Sequence, residues 1–160
     1  MERVNRILQH SFYKECMSRN QMAEEDRRFC GHTLPHLLDV ARIAMILNLE
    51  QNIGIAKELI YAAALLHDIG RFLQYEKGTP HELASAQLAP DILADCEFDK
   101  KETSVIISAI LTHRQSEIKD DRTLNGILYT ADKMSRCCFF CDASKECDWK
   151  ENKKNITLTI

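Results

Sequence analysis

Apolar residues recur at helical spacing along almost the whole chain, and almost nothing interrupts them. Val4, Ile7, Leu8 and Phe12 share one side of an amphipathic helix over residues 1–18. His36, Val40, Ile43, Ala44 and Leu47 do the same in a stretch that reaches about Leu49. IAKELIYAAALLHDI follows Gly54 and stops at Gly70; its Ala62–Ala64 run marks it as central and tightly packed. Later segments carry Val105, Ile106, Ala109 and Ile110, and then Leu124, Ile127, Leu128 and Ala131. Only eight of the 160 residues are Gly or Pro, and only three are Val. A sandwich or a doubly wound sheet needs more turn residues and more β-branched side chains than that. The pattern predicts an all-α, single-domain helical bundle of about six to seven helices.

Local signals divide the bundle. The charged stretch 20–30 reads as a second, exposed helix that Gly31 ends. Pro35 suits a first helical turn. Thr79-Pro80-His81-Glu82 has capping-box spacing with Thr79 as N-cap, and Pro90 is expected to kink or divide the helix after it. Asp99 and Glu102 repeat the cap-plus-acid spacing, and Asp120/Asp121 is expected to cap the last long helix. N-terminal helices (1–29) thus pack on a main domain (30–136), followed by a Cys-rich segment and polar tail (137–160).

The formal net charge is −3 and no Lys/Arg tract stands out, so a basic nucleic-acid-binding face is not expected. No apolar run reaches the roughly 18 residues of a membrane span, and MERVNRILQH lacks the apolar stretch of a signal peptide. The expected location is the cytoplasm, with no membrane partner. There the seven cysteines serve as thiols or metal ligands rather than disulfides.

Four histidines fall on four different predicted helices: His36, His67, His81 and His113. Three of them continue an apolar face. His36 is four before Val40, His67 four after Ala63, and His113 four after Ala109. Asp68 follows His67, and Asp132 is four after Leu128 on a buried face. One buried histidine is ordinarily a satisfied core residue. His81 also suits a surface position at a helix start, and His113 a helix C-terminus. Buried together, two carboxylates and four imidazoles would be costly unless a cation sat among them. Imidazole with carboxylate suits Mn, Fe, Zn, Ni or Co, and Mg less well.

With His36 upstream, AALLHDIGR in the middle and Asp132 in YTADKMSR, the chain resembles the HD superfamily of metal-dependent phosphohydrolases over residues 30–136. The resemblance implies a first metal on His36, His67, Asp68 and Asp132. It also implies a second metal on His81 and His113, bridged by Asp68, as in dinuclear members. One or two divalent transition metals are the implied cofactors. The implied substrate is a small phosphorylated molecule, a nucleotide by preference, and a homodimer is compatible with the family. Arg71, Arg114 and Lys133 each follow a ligand or the HDIG turn and are candidate phosphate clamps beside the catalytic Asp68, although Arg114 reads equally well as a surface cation. Asp39 and Glu82 are candidates for orienting imidazoles, and solvated carboxylates explain them equally well. The chain lacks the GYP extension of cyclic-di-GMP phosphodiesterases and the further domains of large nucleotide triphosphohydrolases. It is closer in size and ligand order to small members such as dinucleoside-tetraphosphate hydrolases. Related HD proteins with the same ligand pattern are dinuclear iron oxygenases, and a non-catalytic regulatory module is a third class.

Cys137, Cys138, Cys141 and Cys147 form a separate cluster, with the metal-type spacing Cys138-x2-Cys141. A zinc or iron–sulfur site would take Cys138, Cys141 and Cys147 with a fourth thiol, Cys137 or Cys30. The aromatics around them could equally pack as a C-terminal lid.

Overall fold

A computed structural model describes residues 1–160. The chain is all-α: α1 (Glu2–Gln9), α2 (Ser11–Ala23), α3 (Leu34–Glu50), α4 (Lys57–Leu66), α5 (Arg71–Lys77), α6 (His81–Asp95), α7 (Lys100–Thr112) and α8 (Leu124–Met134), with three single 3-10 turns and no strand. No helix is long and apolar enough to cross a membrane.

The layers grow from α4, whose Ala62, Ala63 and Ala64 are fully buried. Methyl side chains let α3, α7 and α1 approach it closely. α8 closes the bundle against α3 and α7, and α6 lies between α5 and α7. Thirty residues make one continuous core, and Val4, Ile7, Tyr13 and Cys16 of the N-terminal helices belong to it.

Boundaries differ from the periodicity in identifiable places. The expected helix over 1–18 is broken at His10, whose extended backbone (φ −63°, ψ 128°) turns the chain so that α1 packs on α4 and α2 on α5. Arg3 pins α1 through Glu102 (2.6 and 3.0 Å) and Glu58 (2.8 Å). The expected second helix over 20–30 is absent. α2 runs on to Ala23 and residues 24–33 form an irregular loop. Glu24 closes that loop by accepting from the His32 backbone N–H (2.8 Å) and from His32 Nδ1 (2.6 Å), which competes with a helical ladder.

Thr79 makes no cap bond, because α6 begins at His81 with Pro80 as N-cap. The His81 N–H donates to Gln74 Oε1 instead (3.2 Å). α6 runs through Pro90 unbroken, held past the missing bond by burial of Ala84, Ala89, Ile92 and Leu93. Asp99 and Glu102 do form a reciprocal capping box. Asp120/Asp121 do not cap α8; Thr123 does, its hydroxyl accepting from Gly126 N–H. Val105 is exposed rather than inward-facing. α4 ends at Leu66, so His67–Gly70 is a turn rather than helix, and α5 starts directly after it.

Candidate metal centre

The His67–Gly70 turn is fixed at the middle of the bundle by two neighbours, Ser85 and Asn20. Gly70 N–H donates to Ser85 Oγ on α6 (2.9 Å), where a Cβ on Gly70 would stand 2.5 Å from Ser85 N. Buried Asn20 on α2 clips both ends: its Nδ2 donates to Asp68 O (2.9 Å) and its Oδ1 accepts from Phe72 N–H (2.8 Å). Nothing in the helical pattern of 1–30 singled out Asn20, since a polar residue there reads as solvated.

The turn aims the Asp68 carboxylate into a ring of imidazoles. Oδ2 lies 3.3 Å from His67 Nε2 and 3.9 Å from His36 Nε2. Oδ1 lies 3.3 Å from His81 Nε2 and 3.9 Å from His113 Nε2. Asp132 Oδ1 completes the first half at 3.6 Å from His36 Nε2 and 3.9 Å from His67 Nε2. Two ligand groups result, His36–His67–Asp68 and Asp68–His81–His113, each with donor atoms within 4.8 Å of one another. Asp68 is common to both.

The donors fit a cation. His67 Nδ1 donates to Ala64 O (2.7 Å) and His113 Nδ1 to Ile110 O (2.6 Å), which sets the tautomer and leaves each Nε2 lone pair pointing inward. His81 Nδ1 is likewise 2.6 Å from Gln74 Oε1, and His36 Nδ1 is 3.2 Å from Ser135 Oγ. His36 Nε2, His67 Nε2 and Asp68 Oδ1 are buried with no hydrogen-bond partner. His81 Nε2 and His113 Nε2 face each other at 3.2 Å. Orphaned lone pairs converging on one point are costly without a proton or cation between them. The expected carboxylate orienters do not serve the imidazoles in that way: Asp39 pairs with Arg42 (3.3 Å) at the surface, and Glu82 Oε2 stands 3.8 Å from His81 and 3.3 Å from Arg114.

Electrostatics agree with this picture. Burial, reinforced by the neighbouring His67, lowers the pKa of His36 to about 4. Burial lowers His81 to about 3 and His113 to about 4. Those three therefore present neutral, ligand-competent rings. His67 is raised: burial opposes its charge, but Asp68 and Asp132 outweigh burial. Asp68 and Asp132 are held well below the usual carboxylate range; burial works against this, but His67 and other histidines pull Asp68 down, and Lys133 and His67 pull Asp132 down.

A cavity of about 310 Å³ opens onto the ring, and Arg71, Arg114 and Lys133 line it. Arg71 is largely buried, with Nη1 2.9–3.2 Å from the His81 ring nitrogens and Nε 3.6 Å from Glu24. Lys133 pairs with Asp132 Oδ2. Arg114 is half-exposed and paired with Glu82. Arg27 and Phe29 from the 24–33 loop and Arg136, none of them expected there, complete the walls with Trp149, one of the aromatics of the Cys-rich segment; the Arg136 guanidinium and the Trp149 ring stack at 3.9 Å. His32 also enters the site, its Nε2 3.8 Å from Asp68 Oδ2. It lies in a loop, where periodicity carries no information.

The cysteine cluster is arranged differently from its sequence spacing. No three of the seven sulfurs come within 4.8 Å of one another. Cys137 is exposed, its thiol 3.9 Å from Ser135 O, and Cys30 is the fourth thiol that lines one cavity with Cys137, Cys138 and Cys141.

A family model described as HD domain matches residues 33–137. A protein of Clostridium beijerinckii, described as an uncharacterized protein, is 44% identical over 158 residues, 99% of each chain. Ribonuclease Y of Enterococcus faecalis is 32% identical over 104 residues, which are 65% of this chain and 18% of the ribonuclease. Ribonuclease Y 1 of Pediococcus pentosaceus is 28% identical over 106 residues, again 65% and 18%. No solved structure matches the chain.

Proposed function

This chain belongs to the HD-domain family, and we propose from that premise that it is a phosphohydrolase whose metal ligands are His36, His67, Asp68 and Asp132 on one side and Asp68, His81 and His113 on the other. The observation that carries the reading is the Asp68 carboxylate, each oxygen facing its own histidine pair. Divalent transition metals bound there would supply Lewis acidity toward a phosphoryl oxygen and a more acidic water.

The chain's own residues do the rest. Backbone carbonyls of Ala64 and Ile110 hold His67 and His113 with Nε2 inward. Arg71, Arg114 and Lys133 place positive charge around the cavity mouth, where anionic phosphoryl oxygens enter. Phe29 and Trp149 offer aromatic faces beside those cations, which suits a nucleotide base. The two relatives named ribonuclease support phosphodiesters as a second group of substrates, since cleaving RNA hydrolyses a phosphodiester.

The test is metal analysis of purified protein, followed by a panel of nucleoside mono-, di- and polyphosphates, a dinucleoside tetraphosphate and a short oligoribonucleotide with Mn²⁺, Fe²⁺, Co²⁺ or Ni²⁺. The expected result is hydrolysis without an O₂ requirement that Asp68→Ala abolishes. Turnover that needs O₂ and iron would replace the reading with an oxygenase. Metal loading without turnover of any panel member would replace it with a binding module.

A further inference from the structure

Residues 137–160 form no α-helix and bury only Ala143. Yet the segment folds back to the metal centre, where Cys147 and Trp149 line the cavity with Arg71 and Lys133. Besides the Trp149–Arg136 stack and a shallow pocket where Phe139 and Leu158 meet Ile43 and Met134, its contacts with the body are polar: Asn155 Nδ2 donates to the Lys133, Met134 and Arg136 carbonyls, and Glu146 pairs with Arg28 at 2.8 Å. Exposed ion pairs contribute about 1 kcal/mol or less. Ordering each residue costs about 1–2 kcal/mol of backbone entropy. A stretch with so small a core needs a staple.

The cysteines are placed to supply one. Cys138 opens the 3-10 turn Cys138–Phe140, and Cys141, the extended residue after it, closes the turn by donating its N–H to Cys138 O at 3.4 Å. The turn brings both cysteines to the wall of one cavity. Cys30, from the loop between α2 and α3, lines the same 320 Å³ cavity as this pair, and it lines the metal-centre cavity together with Cys147. Cys30 thus borders both cavities, one shared with Cys138 and Cys141 and the other with Cys147.

We propose that Cys30, Cys138, Cys141 and Cys147 form a second metal site, a tetrathiolate centre for a thiophilic metal that ties the 137–150 segment to the 24–33 loop. Four thiolates select zinc or an iron–sulfur cluster over the metals that suit imidazole and carboxylate. Changing a cysteine rotamer moves its sulfur by about 3 Å, enough to bring thiols of one cavity to a common ion. Binding releases the thiol protons to solvent. The charge environment is matched to the product. Burial first, and then the nearby Cys138 and Cys141, oppose ionisation of Cys30, and a cation removes that opposition. Arg136 and the buried Lys154 ammonium lie beside the thiols and offset the net negative charge of a tetrathiolate around a dication. The site shares no ligand with the His/Asp centre, so its failure leaves the proposed hydrolase untouched.

Cobalt distinguishes the two centres, because only thiolate ligands give sulfur-to-metal charge-transfer bands. The full chain, stripped and titrated with Co²⁺, is expected to show such bands saturating at one ion per chain. They should persist unchanged in Asp68→Ala and in Cys137→Ser, and lose both intensity and affinity in Cys30→Ser and Cys141→Ser. Protein isolated without oxygen that carries iron, acid-labile sulfide and visible absorption would support the cluster form. Alkylation of the wild type avoids any folding defect: Cys30, Cys138, Cys141 and Cys147 should be protected with metal and labelled after chelation, with Cys137 labelled in both. Absence of both the cobalt bands and iron sulfide, or a disulfide among the four in unreduced protein, would overturn the site.

Discussion

Gly70→Ala should weaken the His81–His113 half of the centre more than the His36–His67 half. A methyl group on Gly70 would stand 2.5 Å from Ser85 N and 2.7 Å from both the carbonyl carbon and the Cβ of Ala84. Carbon needs about 3.5 Å from such atoms, so α6 must retreat by about 1 Å. Two of the three atoms are helix backbone, and α6 is packed on α5 and α7, so no side-chain rotation relieves the clash. Overpacking of this kind costs about 1–3 kcal/mol, and losing the Gly70–Ser85 hydrogen bond adds about 1 kcal/mol. At about 2–4 °C per kcal/mol, melting should fall by roughly 5–15 °C. His81 lies four residues before Ser85 on the same face of α6, so the shift carries its Nε2 away from Asp68. Metal–ligand bonds tolerate only about 0.2 Å of misplacement. Calorimetric titration of metal-free protein with Mn²⁺ should show two events in the wild type, the weaker one lowered at least tenfold in the variant. Unchanged melting with both affinities intact would refute the reasoning. Equal loss at both sites would mean that the turn moves rather than α6.

Asn20→Ala leaves the buried Phe72 N–H without a partner and removes one of the two donors to Asp68 O, which keeps the Arg71 N–H, so stability should drop by about 1–3 kcal/mol in chemical denaturation; a loss under about half a kcal/mol would show that the turn stands by itself. Metal-free protein should lose stability as pH falls. His36, His81 and His113 titrate at about 4, about 3 and about 4 when folded, against about 6.5 unfolded. The unfolded chain therefore binds more protons below about pH 6.5, and stability declines from there until each folded pKa is passed. His67, shifted the other way, adds its stabilisation above that range and leaves the decline below it unchanged. A melting temperature flat from pH 6.5 down to about 4 would contradict the burial assigned to these rings. Lys133→Met removes a cation from the cavity wall; KM for a phosphorylated substrate should rise by about tenfold or more with both metals retained, and an unchanged KM would place Lys133 outside the substrate's reach.

The helical class, the central alanine helix and the Asp99 cap were legible because each rests on a local rule: period, side-chain volume, or a side chain bonding its own backbone. The misread boundaries share the opposite cause. Thr79, Asp120 and Asp121 have cap chemistry, but cap identity depends on where the helix starts, and packing moved the start to His81 in one case and to Leu124 in the other. His10 breaks a continuous apolar pattern because α1 gains burial and the Arg3 ion pairs by turning onto α4. At the site, His36, His67, His113 and Asp132 were visible as polar residues continuing apolar faces, whereas Asp68 and His81 entered as ligands through the family resemblance. His32 and Asn20 were not visible, since loops carry no period and a buried asparagine looks like an exposed one until its partners are known.

The geometry of the site depends on one turn held from several directions. Gly70 meets α6, Asn20 reaches over from α2, and the Ala64 carbonyl at the end of α4 orients His67. Each restraint belongs to a different helix, so no single helix can shift Asp68 without straining a second contact. That over-determination offsets what the Asp68 carboxylate costs when buried among imidazoles. A carboxylate on a mobile loop would rotate toward solvent and lower its own energy at the expense of the site. Here the backbone that carries Asp68 is held in place and its side chain is buried, with Oδ1, which has no hydrogen-bond partner, facing His81 Nε2 at 3.3 Å. Replacements that loosen the backbone of this turn should therefore lower metal affinity even when all six candidate ligands remain in place.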